Sequence, residues 1–108
     1  MPSVPKWKRF ETRVAKKLGG ERVPVTGKGR ADRDVEAGGF YYQTKYREAI
    51  PAWLFEWLAG IVGTAEAVGK TGVLVLSRPG ADTDNALVMV RFSDWVALHG
   101  IVQAVEEK

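Results

Sequence analysis

The chain has 108 residues, of which 45% are apolar. This length and composition predict one small domain over residues 1–108 with a modest hydrophobic core. It contains no cysteine, which excludes a disulfide framework and a thiolate metal site such as a zinc ribbon. Its start lacks the apolar core of a secretory signal, and its most apolar stretch, residues 52–68, is short and interrupted by two glutamates. A cytoplasmic protein without a membrane span is expected.

The positive charge is concentrated in the first half of the chain. Residues 1–47 hold 12 of the 16 lysines and arginines but 5 of the 13 acidic residues, which gives a net charge of +7. The rest of the chain has 4 basic and 8 acidic residues, a net charge of −4. A segment this basic gains free energy by releasing counterions from a polyanion. The asymmetry favours a nucleic-acid partner, although basic residues also simply solvate exposed faces.

A helix is predicted over residues 6–18, because Pro5 suits its first turn and Gly19-Gly20 end it. Its apolar residues recur at helical spacing and form one face: Trp7, Phe10, Val14 and Leu18. Glu11 falls within that face. A buried carboxylate without a partner costs several kcal/mol, so Glu11 is expected to meet a cation, a metal ion or hydrogen-bond donors. The two partners weighed against each other are a metal ion and an internal arginine or lysine.

Three strands around a basic loop are predicted next. They are a strand over residues 21–25, a loop over 26–31, and two antiparallel strands over 34–36 and 40–46 joined through 37–39. Side chains alternate along a strand, so Gln43 and Lys45 are expected on one face of the last strand and Thr44 on the other. The amide and the ammonium would then reach the same phosphate.

The second half is predicted to contain a long apolar helix, two strands and a short helix. These are a helix over about 51–68, strands over 73–76 and 86–92, and a helix capped by Ser93 that ends near His99-Gly100. The long helix has more apolar surface than one small sheet covers, which indicates a second buried side. The element order predicts an α/β fold in which helices flank a mixed sheet of about five strands.

Asp34, Gln43 and Lys45, together with Glu11, predict a metal-dependent phosphodiesterase site. Mg²⁺ prefers hard oxygen ligands and keeps several waters, so Asp34 with one or two further oxygens, from Glu11 and Gln43, is sufficient to hold it. The metal would acidify a bound water and neutralise charge on the phosphate. The ammonium of Lys45 would orient the nucleophile or stabilise the transition state.

Two neighbouring acidic residues are alternative metal ligands for this site, and one further motif only resembles a nucleotide-binding sequence. Gln43 carries no charge, so weaker metal affinity is expected, and Glu36 or Asp32 could supply a further carboxylate. Residues 69–71, Gly-Lys-Thr, are similar to a phosphate-binding loop, but their spacing from Gly63 is wrong and they follow a helix. No nucleotide cofactor is therefore expected.

These residues resemble the archaeal-type Holliday junction resolvases and their phage-encoded relatives, in the PD-(D/E)XK nuclease superfamily. The resemblance covers the first half well and rests on Glu11, Arg22, Thr26-Gly27, Asp34 and the triplet Gln43-Thr44-Lys45. The second half matches only in the order and character of its elements. The family usually has serine where Thr26 stands and glutamate where Gln43 stands.

The resemblance implies a restriction-endonuclease-like fold and a structure-selective endonuclease that cuts four-way DNA junctions. Glu11, Asp34, Gln43 and Lys45 would be catalytic, and the first three would hold Mg²⁺, for which Mn²⁺ could substitute. Symmetric cutting of two strands implies a homodimer. The resemblance also implies a prokaryotic cell, which could be a phage-infected host. The excess apolar surface of the long helix is an independent reason to expect self-association.

Several residues around the site are candidates for contacts with DNA: Arg22, Thr26, Lys28, Arg30, Arg33 and Arg47. Phosphate contacts position DNA without reading its sequence, and no recognition helix is evident, so recognition by shape is expected. Two alternatives stay open: another small nuclease of the same superfamily that acts on forks, flaps or duplex, and a DNA-binding module whose nuclease site has decayed. A purely structural protein would leave the inward Glu11 and the basic half unexplained together.

Overall fold

A computed structural model of the chain describes residues 4–23 and 34–100. The chain divides into two compact units, a first unit of residues 1–48 and 96–108 and a second unit of residues 49–95. Each unit combines a helix with a small antiparallel sheet, which confirms the mixed α/β class. The five strands in the described ranges lie in two sheets, one of three strands and one of two.

Helix α1 of the first unit spans Lys6–Leu18, the range predicted from the sequence. Gly19 ends it in the left-handed conformation, with φ of 66°, which a glycine adopts without steric cost. Lys16 and Lys17 lie in the last turn, where positive charge is favourable beside the helix carboxyl terminus. The buried face consists of Glu11, Val14, Ala15 and Leu18, so the inward position of Glu11 is confirmed.

The sheet of the first unit has the order β1-β2-β3, with strands Glu21–Arg22, Val35–Ala37 and Phe40–Tyr42. Both pairings are antiparallel, and Ala37 lies opposite Phe40 across a two-residue turn that begins at Gly38 with φ of 60°. Strands β1 and β3 are shorter than predicted, whereas β2 has the predicted length and begins one residue later. The end of the predicted first strand, residues 24–25, and the basic loop over 26–31 lie outside the described residues.

Helix α1 packs against β1 and β2 at very close range. The core between them consists of apolar side chains: Val14, Ala15, Leu18, Val35 and Ala37. A Cβ on Gly20 would overlap the carbonyl oxygen of Glu36 and come within 2.6 Å of the Cβ of Ala37. Only glycine therefore fits where the chain leaves α1 and enters β1.

A π-helical turn, Val96–Gly100, also belongs to this unit, and the centroid of its His99 ring lies 5.2 Å from that of the Phe40 ring.

The second unit contains helix α2, Ala52–Glu66, and strands β4, Leu74–Leu76, and β5, Leu87–Met89, which pair antiparallel. Leu58, Val62 and Ala65 form the buried face of α2, which packs against β4. No described helix has both the length and the apolar composition needed to cross a bilayer. A short 3₁₀ helix, Thr83–Asn85, precedes β5 and was not predicted.

The end of the second unit differs from the prediction. The strand predicted over 86–92 ends at Met89, and helix α3, Phe92–Trp95, begins before Ser93, so Ser93 is not its cap. The carbonyl oxygen of Arg91 accepts hydrogen bonds from the backbone N–H groups of Asp94 and Trp95. The side chain of Arg91 also donates to the carboxylate of Asp94, and this local pairing favours a helical turn over an extended strand.

Candidate functional site

All four residues predicted as catalytic line one open cavity of about 310 Å³ in the first unit. Its described lining consists of Trp7, Glu11, Asp34, Gln43, Thr44, Lys45, Tyr46 and Arg47. Helix α1 supplies the first two, the residue before β2 supplies the third, and the segment after β3 supplies the others. Arg47, predicted to contact DNA, is part of the same lining. Two regions that are distant in the sequence therefore converge at one place.

Asp34 is held by both its backbone and its side chain. Its N–H donates to the carbonyl oxygen of Tyr42 at 2.7 Å, and its carbonyl oxygen accepts from the N–H of Val23 at 2.9 Å. Asp34 as a residue is 7% exposed, and its carboxylate accepts through Oδ2 from the N–H of Thr44 at 2.6 Å and from the Thr44 hydroxyl at 3.1 Å. Two donors on one oxygen compensate for burial and fix the orientation of the carboxylate.

Glu11 is 4% exposed and forms a salt bridge with Arg22 of β1. Its Oε2 accepts hydrogen bonds from Nε of Arg22 at 3.2 Å and from Nη2 at 3.0 Å. Of the two partners expected for this inward carboxylate, the described structure therefore contains the internal arginine. Arg22, which was predicted to contact DNA phosphates, is engaged within the protein. The pairing balances a buried charge that would otherwise be costly.

The sequence analysis did not predict Trp7, Thr44 and Tyr46 as site residues, and of these Thr44 bonds directly to Asp34. Strand β3 ends at Tyr42, so strict alternation does not extend over Gln43, Thr44 and Lys45, and all three line the cavity. Thr44 thus lines the cavity together with the two residues that were expected on the opposite face. The signal that could have revealed it is a hydroxyl residue just after a short strand, where side chains bond nearby polar groups.

Buried charge is confined to this site among the described residues, since Glu11 and Asp34 are their buried polar side chains. The ion pairs of the second unit are exposed by comparison. There Arg91 donates hydrogen bonds to Asp94 and Glu66, which raise the pKa of Arg91 above its ordinary value, Asp94 having the larger effect. Arg91 is therefore positively charged at any ordinary working pH.

The donor chemistry of the cavity suits a hard divalent cation that keeps much of its water. The described residues contain no group of three His, Cys, Asp or Glu side chains placed to hold a metal. The predicted set has two carboxylates, on Glu11 and Asp34, and the amide oxygen of Gln43, so waters or substrate oxygens would have to complete an octahedral shell. Glu36 lies in β2 and is not among the lining residues.

Five of the predicted residues fall outside the described ranges. They are the DNA-contact candidates Thr26, Lys28, Arg30 and Arg33 and the substitute acid Asp32. Their predicted roles remain predictions.

A second cavity, of about 560 Å³, lies in the second unit. Its lining is mainly apolar and contains one cation and no carboxylate among the described residues: Trp53, Leu54, Leu76, Ser77, Arg78, Ala81, Asn85 and Leu87. Its described lining therefore offers no negatively charged ligand for a metal ion, in contrast to the cavity of the first unit.

No protein-family model, no curated protein and no solved structure matches this chain. The function is therefore inferred from the residues of the site and from the charge of the chain.

Proposed function

We propose that this chain is a metal-dependent, structure-selective DNA endonuclease that resolves four-way junctions by paired symmetric nicks. The observation that supports the proposal is the convergence of Glu11, Asp34, Gln43 and Lys45 on one cavity. The excess of basic residues in the same half of the chain supports a polyanionic substrate. The proposal includes a restriction-endonuclease-like fold with a mixed sheet of about five strands, as in the resolvases that the sequence resembles.

The cavity side chains have complementary roles in this reaction. Glu11, Asp34 and Gln43 would hold Mg²⁺, or Mn²⁺ in its place, which when bound supplies an acidified water and neutralises charge on the phosphate. Thr44 keeps Asp34 in one orientation through the two hydrogen bonds to Oδ2. Lys45 donates to a phosphate oxygen on which negative charge grows in the transition state.

Arg47 lies in the same cavity lining and would bind a neighbouring phosphate, which places the strand without reading its sequence. Arg22 would act through Glu11, because its guanidinium holds the buried carboxylate in position. Both contributions need no base-specific contact, which agrees with recognition of branched DNA by shape.

A homodimer is part of the proposal, because two strands of a junction are cut symmetrically only when two sites are present. Helix α2 leaves several large apolar side chains at least partly exposed: Trp53, Phe55, Trp57 and Ile61. Exposed apolar side chains of this kind are favourable at an interface with a second copy. A branched DNA substrate and a second copy of this chain are therefore the two partners proposed.

Two alternatives are tested alongside. One is a nuclease of the same superfamily that acts on forks, flaps or duplex DNA. The other is a DNA-binding module without cleavage activity. The observations that favour the second are the pairing of Glu11 with Arg22, which already balances one carboxylate, and the uncharged side chain at Gln43.

The test is cleavage of an end-labelled four-way DNA junction with Mg²⁺, compared with EDTA, Mn²⁺, a fork, a flap and a linear duplex of matched sequence. Paired symmetric nicks on the junction alone, with metal alone, are the expected result. Cleavage mainly of the fork, flap or duplex would replace the resolvase with the first alternative. Tight junction binding without cleavage in either metal would replace it with the second.

A further inference from the structure

We propose that Trp7 stacks on an unpaired base next to the scissile phosphate, so that the cavity takes a single unstacked nucleotide of the DNA strand. This inference rests on the proposed function and deepens it, because it names the feature of branched DNA that the site recognises. Stacking on an exposed indole would give a small protein a way to distinguish a branch point from continuous duplex.

The position of Trp7 is the first observation. Trp7 lies in the first turn of α1, four residues before Glu11 and hence on the same side of the helix. It lines the cavity with Glu11 and Asp34, yet its side chain is 46% exposed. Within the described ranges no aromatic ring packs on Trp7, whereas Phe10, one turn along, packs on Tyr46 with ring centroids 5.5 Å apart. The indole is therefore available at the mouth of a polar site.

The rest of the lining is the second observation. Lys45 and Arg47 supply positive charge next to the buried carboxylates, and Tyr46 adds a second ring that is 50% exposed. A flat apolar surface beside two cations and metal-ligating oxygens matches the parts of one nucleotide, namely its base and its phosphate. A cavity of about 310 Å³ lies at the small end of the range for ligand sites, which suits one nucleotide rather than a paired segment.

The stacking of DNA explains why such a contact would be selective. In continuous duplex both faces of every base are covered by its neighbours. An indole can therefore stack on a base only after that base has been unstacked, which costs free energy. At a branch point or a single-stranded end a base face is already accessible. Stacking of one base on an aromatic side chain changes affinity by about 5- to 150-fold, which corresponds to about 1–3 kcal/mol.

The experiment compares Trp7→Leu and Trp7→Phe with Tyr41→Leu, a control on an aromatic side chain of the same unit that is 69% exposed and does not belong to the cavity lining. Affinities for a four-way junction and a matched duplex are measured by fluorescence anisotropy with Ca²⁺ in place of Mg²⁺. A second junction carries the fluorescent base 2-aminopurine at the branch point. Because an indole quenches 2-aminopurine on stacking, this junction reports the contact in the wild-type protein directly.

The expected results are a loss of about 5- to 150-fold in junction affinity for Trp7→Leu, unchanged duplex affinity, and a smaller loss for Trp7→Phe. Tyr41→Leu should bind both DNAs like the wild type. Quenching of 2-aminopurine should occur with the wild type and disappear with Trp7→Leu. Equal losses on junction and duplex, or absent quenching with the wild type, would overturn the inference. The second criterion holds even when Trp7→Leu fails to fold.

The outcomes separate this inference from the proposed function. If the wild type cleaves junctions and Trp7→Leu keeps the same preference for junction over duplex, the endonuclease stands and the stacking is refuted. If the wild type never cleaves but quenches 2-aminopurine through Trp7, the endonuclease fails while the nucleotide site remains.

Discussion

The two units of this chain each pack one helix on a small antiparallel sheet, but they bury different chemistry. The first unit buries the carboxylates of Glu11 and Asp34 next to a cavity of about 310 Å³. The buried residues of α2 in the second unit are apolar, and the cavity there, although larger at about 560 Å³, contains no carboxylate among its described lining residues. Buried charge costs free energy that a packed apolar core does not, so its location is a better guide to a candidate site than cavity size.

Both units nevertheless contain a glycine at a position where a side chain would not fit. Gly20 lies where no Cβ fits against β2, and a Cβ on Gly72 would come within 2.6 Å of the Cα of Val62 in α2. In the described part of each unit there is therefore a glycine at which a helix and the neighbouring chain approach very closely. Substitutions placed at equivalent features of the two units can separate loss of folding from loss of the site.

The largest effect is expected from Asp34→Asn. The amide oxygen of asparagine can still accept from Thr44, so the fold should survive, while the site loses a metal ligand and a negative charge. Junction cleavage should fall on the order of 10³-fold, and junction binding should be unchanged or stronger because a charge that repels phosphate is gone. Asp84→Asn, in the exposed 3₁₀ helix of the second unit, is the control in a single-turnover cleavage assay. Loss of binding together with cleavage would contradict the proposed role of Asp34.

Glu11→Gln should have the next largest effect, on stability as well as activity. It removes the charge that pairs with Arg22 in a site where Glu11 is 4% exposed, so the free energy of unfolding should fall by about 1–3 kcal/mol in a urea titration. Glu66→Gln removes the charge of the exposed partner of Arg91 and should leave stability unchanged. An equal loss of unfolding free energy in both variants would contradict the expectation that the buried ion pair contributes more to stability than the exposed one.

Gly20→Ala and Gly72→Ala test whether the site depends on the packing of its own unit. Each adds a methyl group where there is no space and should lower the free energy of unfolding by about 1–3 kcal/mol. Only Gly20→Ala should also weaken Tb³⁺ luminescence sensitised by Trp7, because it displaces β2 and with it Asp34. Comparable losses of Tb³⁺ binding in the two variants, at temperatures where both are folded, would contradict that separation.

Thr44→Val should have a smaller effect that is directed at Asp34. It removes the hydroxyl donor to Oδ2 but keeps the backbone N–H donor, a loss worth about 0.5–1.5 kcal/mol. The Mg²⁺ concentration for half-maximal cleavage should rise by roughly 2- to 10-fold, and Thr44→Ser should restore it. Thr64→Val, which removes an exposed hydroxyl bonded to Gly60 in α2, is the control. An unchanged metal titration for Thr44→Val would show that the hydroxyl does not position the ligand.

Gln43→Glu should have the smallest effect. The change adds a third carboxylate to the site, which should strengthen binding of Mg²⁺. The Mg²⁺ concentration for half-maximal cleavage should therefore fall by about tenfold or less. The measurement is a metal titration of cleavage at fixed junction concentration. No shift in the titration would place Gln43 outside the metal shell.

Local patterns in the sequence were sufficient for much of the first unit. The bounds of α1, the left-handed glycine at its end and the inward position of Glu11 follow from helical periodicity and from the chemistry of glycine, which act within a few residues. The hairpin between β2 and β3 is likewise a short-range structure. In the second unit the same kind of reasoning located α2 and β4, but it extended the last strand through Phe92, where the bonds between Arg91 and Asp94 accompany a helix instead.

The sequence by itself determined the inward position of one glutamate and predicted the other candidate site residues: an acid before a strand, and an amide and a lysine after another. Only the tertiary structure decided what these residues touch. Arg22 donates to Glu11, and the hydroxyl of Thr44, which follows the end of β3, donates to Asp34. Partner choice across ten or eleven residues depends on strand register and on where each strand stops. Those features are set by packing between elements, which side-chain periodicity within one element does not encode.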